Sequence, residues 1–242
     1  QVGNTSFTVP THWFWNQAGD NWEPQTFAFF KRNLIVGTDF LDIGAWVGPT
    51  AMIATALGAK RSKIIEPNPM NFLQLLVTQM NNPGLLQRWF LVNACISDKL
   101  GSAKIGPLQG IQSGSSATNI RKDYDDGAEI ISLRLVDMCQ GEEDLSLVKV
   151  DIEGAEASIM SDLNIFAESQ AAVWLSLHPP FVSDKEQLLR DVLKLTDKFY
   201  ATDHNNNSLS NDILTEYILT KETHPKWGTK WGNFFEIGLL PK

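Results

Sequence analysis

Only two cysteines, Cys95 and Cys139, occur in 242 residues, and no spacing motif links them. Neither a disulfide framework nor a thiolate metal centre is expected, and both residues read most simply as reduced packing groups of a cytoplasmic protein. Basic runs are missing as well: 20 Lys and Arg stand against 28 Asp and Glu, a net charge of −8. Phosphate binding needs clustered cations, so no nucleic-acid partner is expected. No apolar run approaches the roughly 18 residues of a membrane span, so no membrane partner is expected either. The polar N-terminal residues do not carry the pattern of a secretory leader.

What is present is a chain of alternating strand and helix signals around Phe40-Leu-Asp-Ile-Gly-Ala-Trp-Val-Gly-Pro-Thr50. An apolar run ends in Asp42, Gly44 and Gly48 frame a turn, and Pro49 suits the first turn of a helix. Residues 1–38 concentrate aromatics, among them Trp13, Trp15, Trp22, Phe29 and Phe30, and read as a cap or lid ahead of one core at 39–242. Strands are expected at Asp39–Ile43, Lys63–Pro67, Trp89–Ile96, Ile130–Val136, Leu145–Ile152 and Ala171–Leu177. Two more, at Ile213–Leu219 and Asn233–Ile237, are expected to close the sheet. Helices are expected at Pro49–Leu57, at Pro69–Met80 with Phe72, Leu73, Leu76 and Met80 inward, from Glu156, and at Lys185–Phe199. Gly101–Lys122, rich in Gly, Ser and Gln, reads as a hairpin or loop. Such alternation implies an α/β fold, a mostly parallel sheet with helices on both faces and its ligand at the carboxyl ends of the strands.

Acidic and polar residues collect at those ends: Asp42, Glu66, Ser97 and Asp98, Asp151 and Glu153, then His178. Glu66 follows Asp42 by 24 residues, close to the roughly 20 that separate a glycine turn from a ribose-binding acid. A dinucleotide turn wants a second glycine where this chain has Trp46, and Asp42 would repel a pyrophosphate. That disfavours a nicotinamide oxidoreductase. A ligand with a free ribose and an amino-acid end fits better, and S-adenosylmethionine has that shape.

Four segments, in order, resemble the FkbM family of S-adenosylmethionine-dependent methyltransferases. They are Asp42-Ile-Gly-Ala-Trp-Val-Gly48, Glu66-Pro-Asn-Pro69, Asn93-Ala-Cys-Ile-Ser-Asp98 with Gly101, and Val148-Lys-Val-Asp-Ile-Glu-Gly-Ala-Glu156. The resemblance implies a Rossmann-like, class I methyltransferase with a seven-stranded sheet and a last antiparallel strand. It implies O-methylation of a small hydroxylated, sugar-like or glycan acceptor. Its cofactor set falls on Asp42, Gly44, Ala45, Trp46, Gly48, Glu66, Pro67, Asn68, Ser97, Asp98 and Asp151. Gly44 and Gly48 would line the methionine end, Glu66 the ribose, and Ser97 and Asp98 the adenine. Trp46 departs from the Asn that many relatives carry and narrows the pocket.

Asp151 and Glu153 would then face the methyl group and acceptor. His178, the one histidine at a strand end, is the candidate general base, with an ordinary pKa near working pH. Asp151, Glu153 and His178 could together bind a hard divalent ion, but their spacing does not require one, and no metal is expected. His178-Pro-Pro-Phe181 looks like the motif of amino-methylating nucleic-acid enzymes with the wrong lead residue. A module that binds the cofactor without turnover is the non-enzymatic alternative.

Overall fold

The computed structural model describes residues 2–17, 22–115, 119–120, 126–139, 144–219 and 235–242. Two helices, α1 (Trp13–Gln17) and α2 (Pro24–Asn33), precede β1 (Asp39–Ile43), α3 (Pro49–Ala56), β2 (Ser62–Ile65), α4 (Pro69–Asn81) and β3 (Trp89–Val92). A side excursion holds β4 (Cys95–Ser97), β5 (Gly101–Gly106), α5 (Leu108–Ser113), β6 (Asn119–Ile120) and β7 (Ala128–Arg134), followed by the short α6 (Leu135–Met138). The chain then returns through β8 (Leu145–Val150), α7 (Asn164–Glu168), β9 (Ala172–Leu177), α8 (Lys185–Leu195), β10 (Phe199–Thr202), α9 (Asn211–Leu219) and β11 (Phe235–Pro241).

The main sheet runs β10-β11-β9-β8-β1-β2-β3, and β4-β7-β5-β6 form a second, smaller one. Strands β9, β8, β1, β2 and β3 are mutually parallel, while β11 lies antiparallel between β9 and β10. This is the Rossmann-like arrangement the resemblance implies. Side chains alternate across it: Phe40 packs with Phe29, Phe30 and Trp174 under α2, whereas Leu41 and Ile43 join the large cluster beneath α7, α8 and α9. Phe29 and Phe30 are fully buried, so α2 belongs to the core and packing does not break at residue 38.

Four expectations need correction. The run Trp89–Ile96 is not one strand; it breaks at Asn93–Ala94 and continues in the other sheet. Asn93 pins the break by donating from Nδ2 to the Glu66 and Pro67 carbonyls at 2.8 and 3.1 Å. Ile213–Leu219 is helical because Leu214 and Ile218, four apart, share the buried face; the strand beside β11 is β10 instead. The stretch from Glu156 forms two 3₁₀ turns before α7 begins. Helix α4 buries Asn71, Leu75 and Thr78, leaving Leu73 and Met80 exposed. Its rotation is set by polar anchors, since the Asn68 side chain caps Met70 and Asn71 and the Asn71 amide reaches Glu66. Within Gly101–Lys122 the structure shows β5 and α5; residues 116–118 and 121–122 lie outside the described residues, as do 233–234 of the last expected strand.

Candidate active site

The turn after β1 is held by its neighbours. The Gly44 and Ala45 N–H groups both donate to the Ile65 carbonyl, at 3.0 and 3.1 Å. Gly44 has φ +79°, and a Cβ there would sit 1.8 Å from the Asp151 carbonyl oxygen. Gly48 has φ +91°, and a Cβ would meet Leu75 Cδ2 at 2.7 Å. Glycine is needed at both positions for backbone reasons and for space. Trp46 lies between them with φ +52°, a left-handed conformation that a bulky residue adopts only under strain and that Asn tolerates well. Its indole donates to the Gly114 carbonyl at 3.1 Å and packs on His12, Trp13 and Phe14.

Strain at Trp46 is matched by what its backbone does. The Trp46 N–H donates to Glu66 Oε2 at 2.8 Å, and Glu66 Oε1 accepts from the Asn68 N–H at 2.8 Å and Asn71 Nδ2 at 3.3 Å. Burial pushes the Glu66 carboxyl up to about 7, while these three donors pull it back. A carboxylate offers about four acceptor positions, so Oε2 keeps room for one more donor. Beside it, Asn71 Oδ1 is buried without a hydrogen-bond partner, as is Asn68 Nδ2. Gly114 and Ser115 roof this end, Ser115 accepting from Asn71 Nδ2 at 3.2 Å.

The second group forms beyond Gly44, where β8 ends. Lys149, nearly buried, donates to the Gly44 carbonyl at 2.6 Å and lies 3.7 Å from Asp42 Oδ1 and 3.3 Å from Asp151 Oδ2. Asp42 is fully buried and accepts from the Thr50 hydroxyl at 2.6 Å. Burial raises its pKa against the pull of Lys149 and Thr50. Asp151 goes the other way: burial opposes its charge, but Lys149 and His178 win and its pKa is lowered.

His178 sits at the end of β9 with Nε2 3.6 Å from both Asp151 Oδ1 and Glu153 Oε2. Its Nδ1 is 2.8 Å from Oε1 of the buried Glu156, which also accepts from the Ile152 and Gly154 N–H groups at 3.2 and 2.9 Å. Burial works against a charged ring, yet Glu156, Asp151 and Glu153 outweigh it and push His178 up to about 10. With only these carboxylates around it the ring favours its protonated form, which disfavours the proton-accepting role expected from its strand-end position. Burial lifts Glu153 to about 7, Glu236 to about 7 and Glu23 to about 8, the last two helped by their like-charged neighbours, Asp151 among them.

The expected residues are therefore divided. Asp42, Gly44, Ala45, Trp46, Gly48, Glu66, Pro67 and Asn68 ring the carboxyl ends of β1 and β2, and Asp151, Glu153 and His178 converge next to them. Ser97 and Asp98 do not join them. Ser97 ends β4 of the second sheet, where its Oγ shares a hydrogen bond with Ser132 Oγ at 2.7 Å, and Asp98 is exposed in the bend that follows. The residue at the end of β3 is Asn93. Sequence reasoning also passed over Lys149 and Asn71, although Lys149 lies inside the quoted motif and a buried-type strand with a lysine in it is itself a signal.

S-adenosylmethionine can be tested against this geometry. Its ribose carries two vicinal hydroxyls, and the Glu66 carboxylate, with acceptor capacity left on Oε2, and the orphaned Asn71 Oδ1 are acceptors on neighbouring residues. Its ammonium and sulfonium are cations, and Asp42 and Asp151 are carboxylates beside the turn, with Lys149 between them as their ion-pair partner. The residues fit. A family model described as the Methyltransferase FkbM domain matches residues 42–204. An FkbM methyltransferase structure from Methylobacillus flagellatus is 16% identical with a TM-score of 0.48; the match covers 68% of this chain and 39% of that one. A protein assigned as an rRNA-methylase from Clostridium thermocellum is 9% identical over 93% of this chain and 97% of its own, with a TM-score of 0.54. SMU.1697c, a methyltransferase from Streptococcus mutans in complex with S-adenosylhomocysteine, is 9% identical over 90% and 97%, with a TM-score of 0.49. No curated protein matches the chain. At 9% identity the Clostridium thermocellum structure speaks to the fold alone, and the family model speaks to kinship: this chain belongs to the FkbM family of S-adenosylmethionine-dependent methyltransferases.

Proposed function

We propose that this chain transfers a methyl group to the hydroxyl oxygen of a small hydroxylated or sugar-like acceptor. The observation that carries the reading is that Asp151 and Glu153 converge with His178 directly beyond Gly44 while their side chains stay 32% and 19% exposed. A buried structural ion cluster would be closed; this one opens outward from the cofactor turn.

S-adenosylmethionine supplies an activated methyl on a sulfonium, so the protein has little covalent chemistry to do and positioning provides much of the rate. Asp42, through Lys149 and the Gly44 carbonyl, fixes the turn; Glu66 and Asn71 take the ribose hydroxyls. Asp151 and Glu153 accept hydrogen bonds from the acceptor hydroxyl, aim its lone pair and take its proton as the new C–O bond forms. His178 holds both carboxylates in place by its charge and is itself oriented by Glu156. Asp151, kept ionised by Lys149 and His178 and partly exposed, disfavours a phosphate beside it, which favours neutral or cationic acceptors over nucleic acid. The aromatic N-terminal segment, with His12 to Phe14 on Trp46, works as the lid over this end.

The test is calorimetric titration with S-adenosylhomocysteine, with NAD in a parallel cell, followed by an acceptor panel of neutral, amino and phosphorylated sugars. Micromolar binding of S-adenosylhomocysteine alone and methyl-ether formation on an unphosphorylated member are expected. Binding without methylation of any member would move the chain to the non-catalytic reading. Preference for phosphorylated sugars would overturn the electrostatic argument.

A further inference from the structure

We infer that Asp151, Glu153 and His178 form a binding site for one divalent transition-metal ion, with Glu156 as the residue that orients the imidazole. One ligand atom from each of the three lies within 4.8 Å of the other two. An ion bonded to nitrogen and oxygen at about 2.1 Å holds its ligand atoms about 3–3.5 Å apart. The 3.6 Å separations of His178 Nε2 from Asp151 Oδ1 and Glu153 Oε2 are too long for hydrogen bonds and close to that spacing.

Two features turn three nearby side chains into a site. A ligating histidine characteristically gives its other ring nitrogen to a carboxylate, which fixes the ring and its tautomer. His178 does so: Nδ1 is held by Glu156 Oε1 at 2.8 Å, and Glu156, itself 1% exposed, is tied down by two backbone N–H groups. Asp151 also divides its oxygens, Oδ2 toward Lys149 and Oδ1 toward His178, so the lysine does not occupy the position between the three donors. One imidazole with two carboxylates suits manganese, iron(II) or zinc better than calcium or magnesium. This departs from the metal-free expectation drawn from spacing alone.

The site faces outward through the exposed sides of Asp151 and Glu153, which leaves coordination positions for an acceptor oxygen. There, with His178 deprotonated and Asp151 and Glu153 taken up as ligands, the hydroxyl would lose its proton to solvent instead of to these carboxylates, form its bond to the methyl carbon, and the carbon–sulfur bond would break to leave a neutral thioether. That role rests on the methyl-transfer reading; the ion site itself does not.

The experiment is titration of the chelator-treated full chain with manganese(II) chloride, following the paramagnetic resonance signal of free ion, beside calorimetry with S-adenosylhomocysteine on the same preparation. One ion per chain is expected. Glu153→Gln should bind it at least tenfold more weakly, and Glu156→Gln about ten- to a hundredfold more weakly. The exposed Glu186→Gln should match the native chain. Glu153 is the deciding position because it lies on a partly exposed loop, and circular dichroism confirms that its variant folds. No ion uptake, or equal uptake by Glu153→Gln, overturns the site. Cofactor binding without ion uptake sinks this inference and leaves the methyl-transfer reading standing; ion uptake without cofactor binding does the reverse.

Discussion

Strands β2 and β8 flank β1 on its two sides, and each is followed by a carboxylate that the fold treats in an opposite way. Glu66, after β2, is 4% exposed and is satisfied by neutral donors: two backbone N–H groups and an amide. Asp151, after β8, is a third exposed on its side chain and is satisfied by cations, Lys149 and His178. Amide donors leave burial dominant and lift the Glu66 pKa; ionic partners overcome burial and depress that of Asp151. One carboxylate is a buried acceptor held by amides, the other a partly exposed group held in its charged form by cations. In the proposed reading, binding and chemistry sit on opposite sides of a single strand, with Gly44 between them.

The largest effect should come from removing that separation. Gly44→Ala places a methyl group against the Asp151 carbonyl at a φ that alanine resists, and should cost about 3 kcal/mol or more. Thermal unfolding measures it; a midpoint matching the native protein would show that the turn is not wedged between the two ends. Next in size, His178→Gln removes the charge that holds Asp151 and Glu153. Turnover on the best acceptor should fall about a hundredfold, with S-adenosylhomocysteine affinity within about threefold of native. Equal losses in both would mean that the two ends act as one.

The same contrast marks what the sequence disclosed. The strand Asp39–Ile43, the helix opening at Pro49 and the sheet class were legible because hydrophobic period, proline and glycine all point the same way there. The placement of Glu66, Asp151, Glu153 and His178 at the carboxyl ends of strands was legible from the ends of the apolar runs. The failures share a cause: a polar contact distant in sequence overruled a local pattern. Asn93 breaks an apolar run that reads as one strand, and Asn68 and Asn71 turn α4 away from the face its leucines suggest. Ser97 and Asp98 were misplaced by the first of these, since no local signal shows that the chain leaves the main sheet at Ala94. The role of Lys149 needed three dimensions, because its partners Gly44 and Asp42 lie more than a hundred residues earlier.

Smaller still is the expected effect at the neutral-donor end. Glu66→Gln turns one amide nitrogen toward groups that are themselves donors, and S-adenosylhomocysteine affinity should fall about ten- to a hundredfold, the value of one to two hydrogen bonds to a charged acceptor. Unchanged affinity would remove Glu66 from the ribose site.

The smallest effect is a pH dependence that belongs to this end alone. With its pKa raised to about 7, Glu66 is ionised above neutrality and protonated below it. Ribose hydroxyls donate, so binding prefers the ionised carboxylate, and affinity should approach its full value by about pH 8 and drop by up to about tenfold by pH 6. Folding has the opposite sign: against an ordinary value of 4.5, the raised native pKa gives stability that is complete below about 4.5 and lost as pH rises through 7. The fold therefore tolerates an ionised Glu66 at the pH where the ligand wants it, held by Trp46, Asn68 and Asn71. In Glu66→Gln the affinity profile should become flat between pH 6 and 8. A slope that survives the substitution would arise from Glu23, Glu153 or Glu236 across β1, and the division between a binding side and a chemical side would fail.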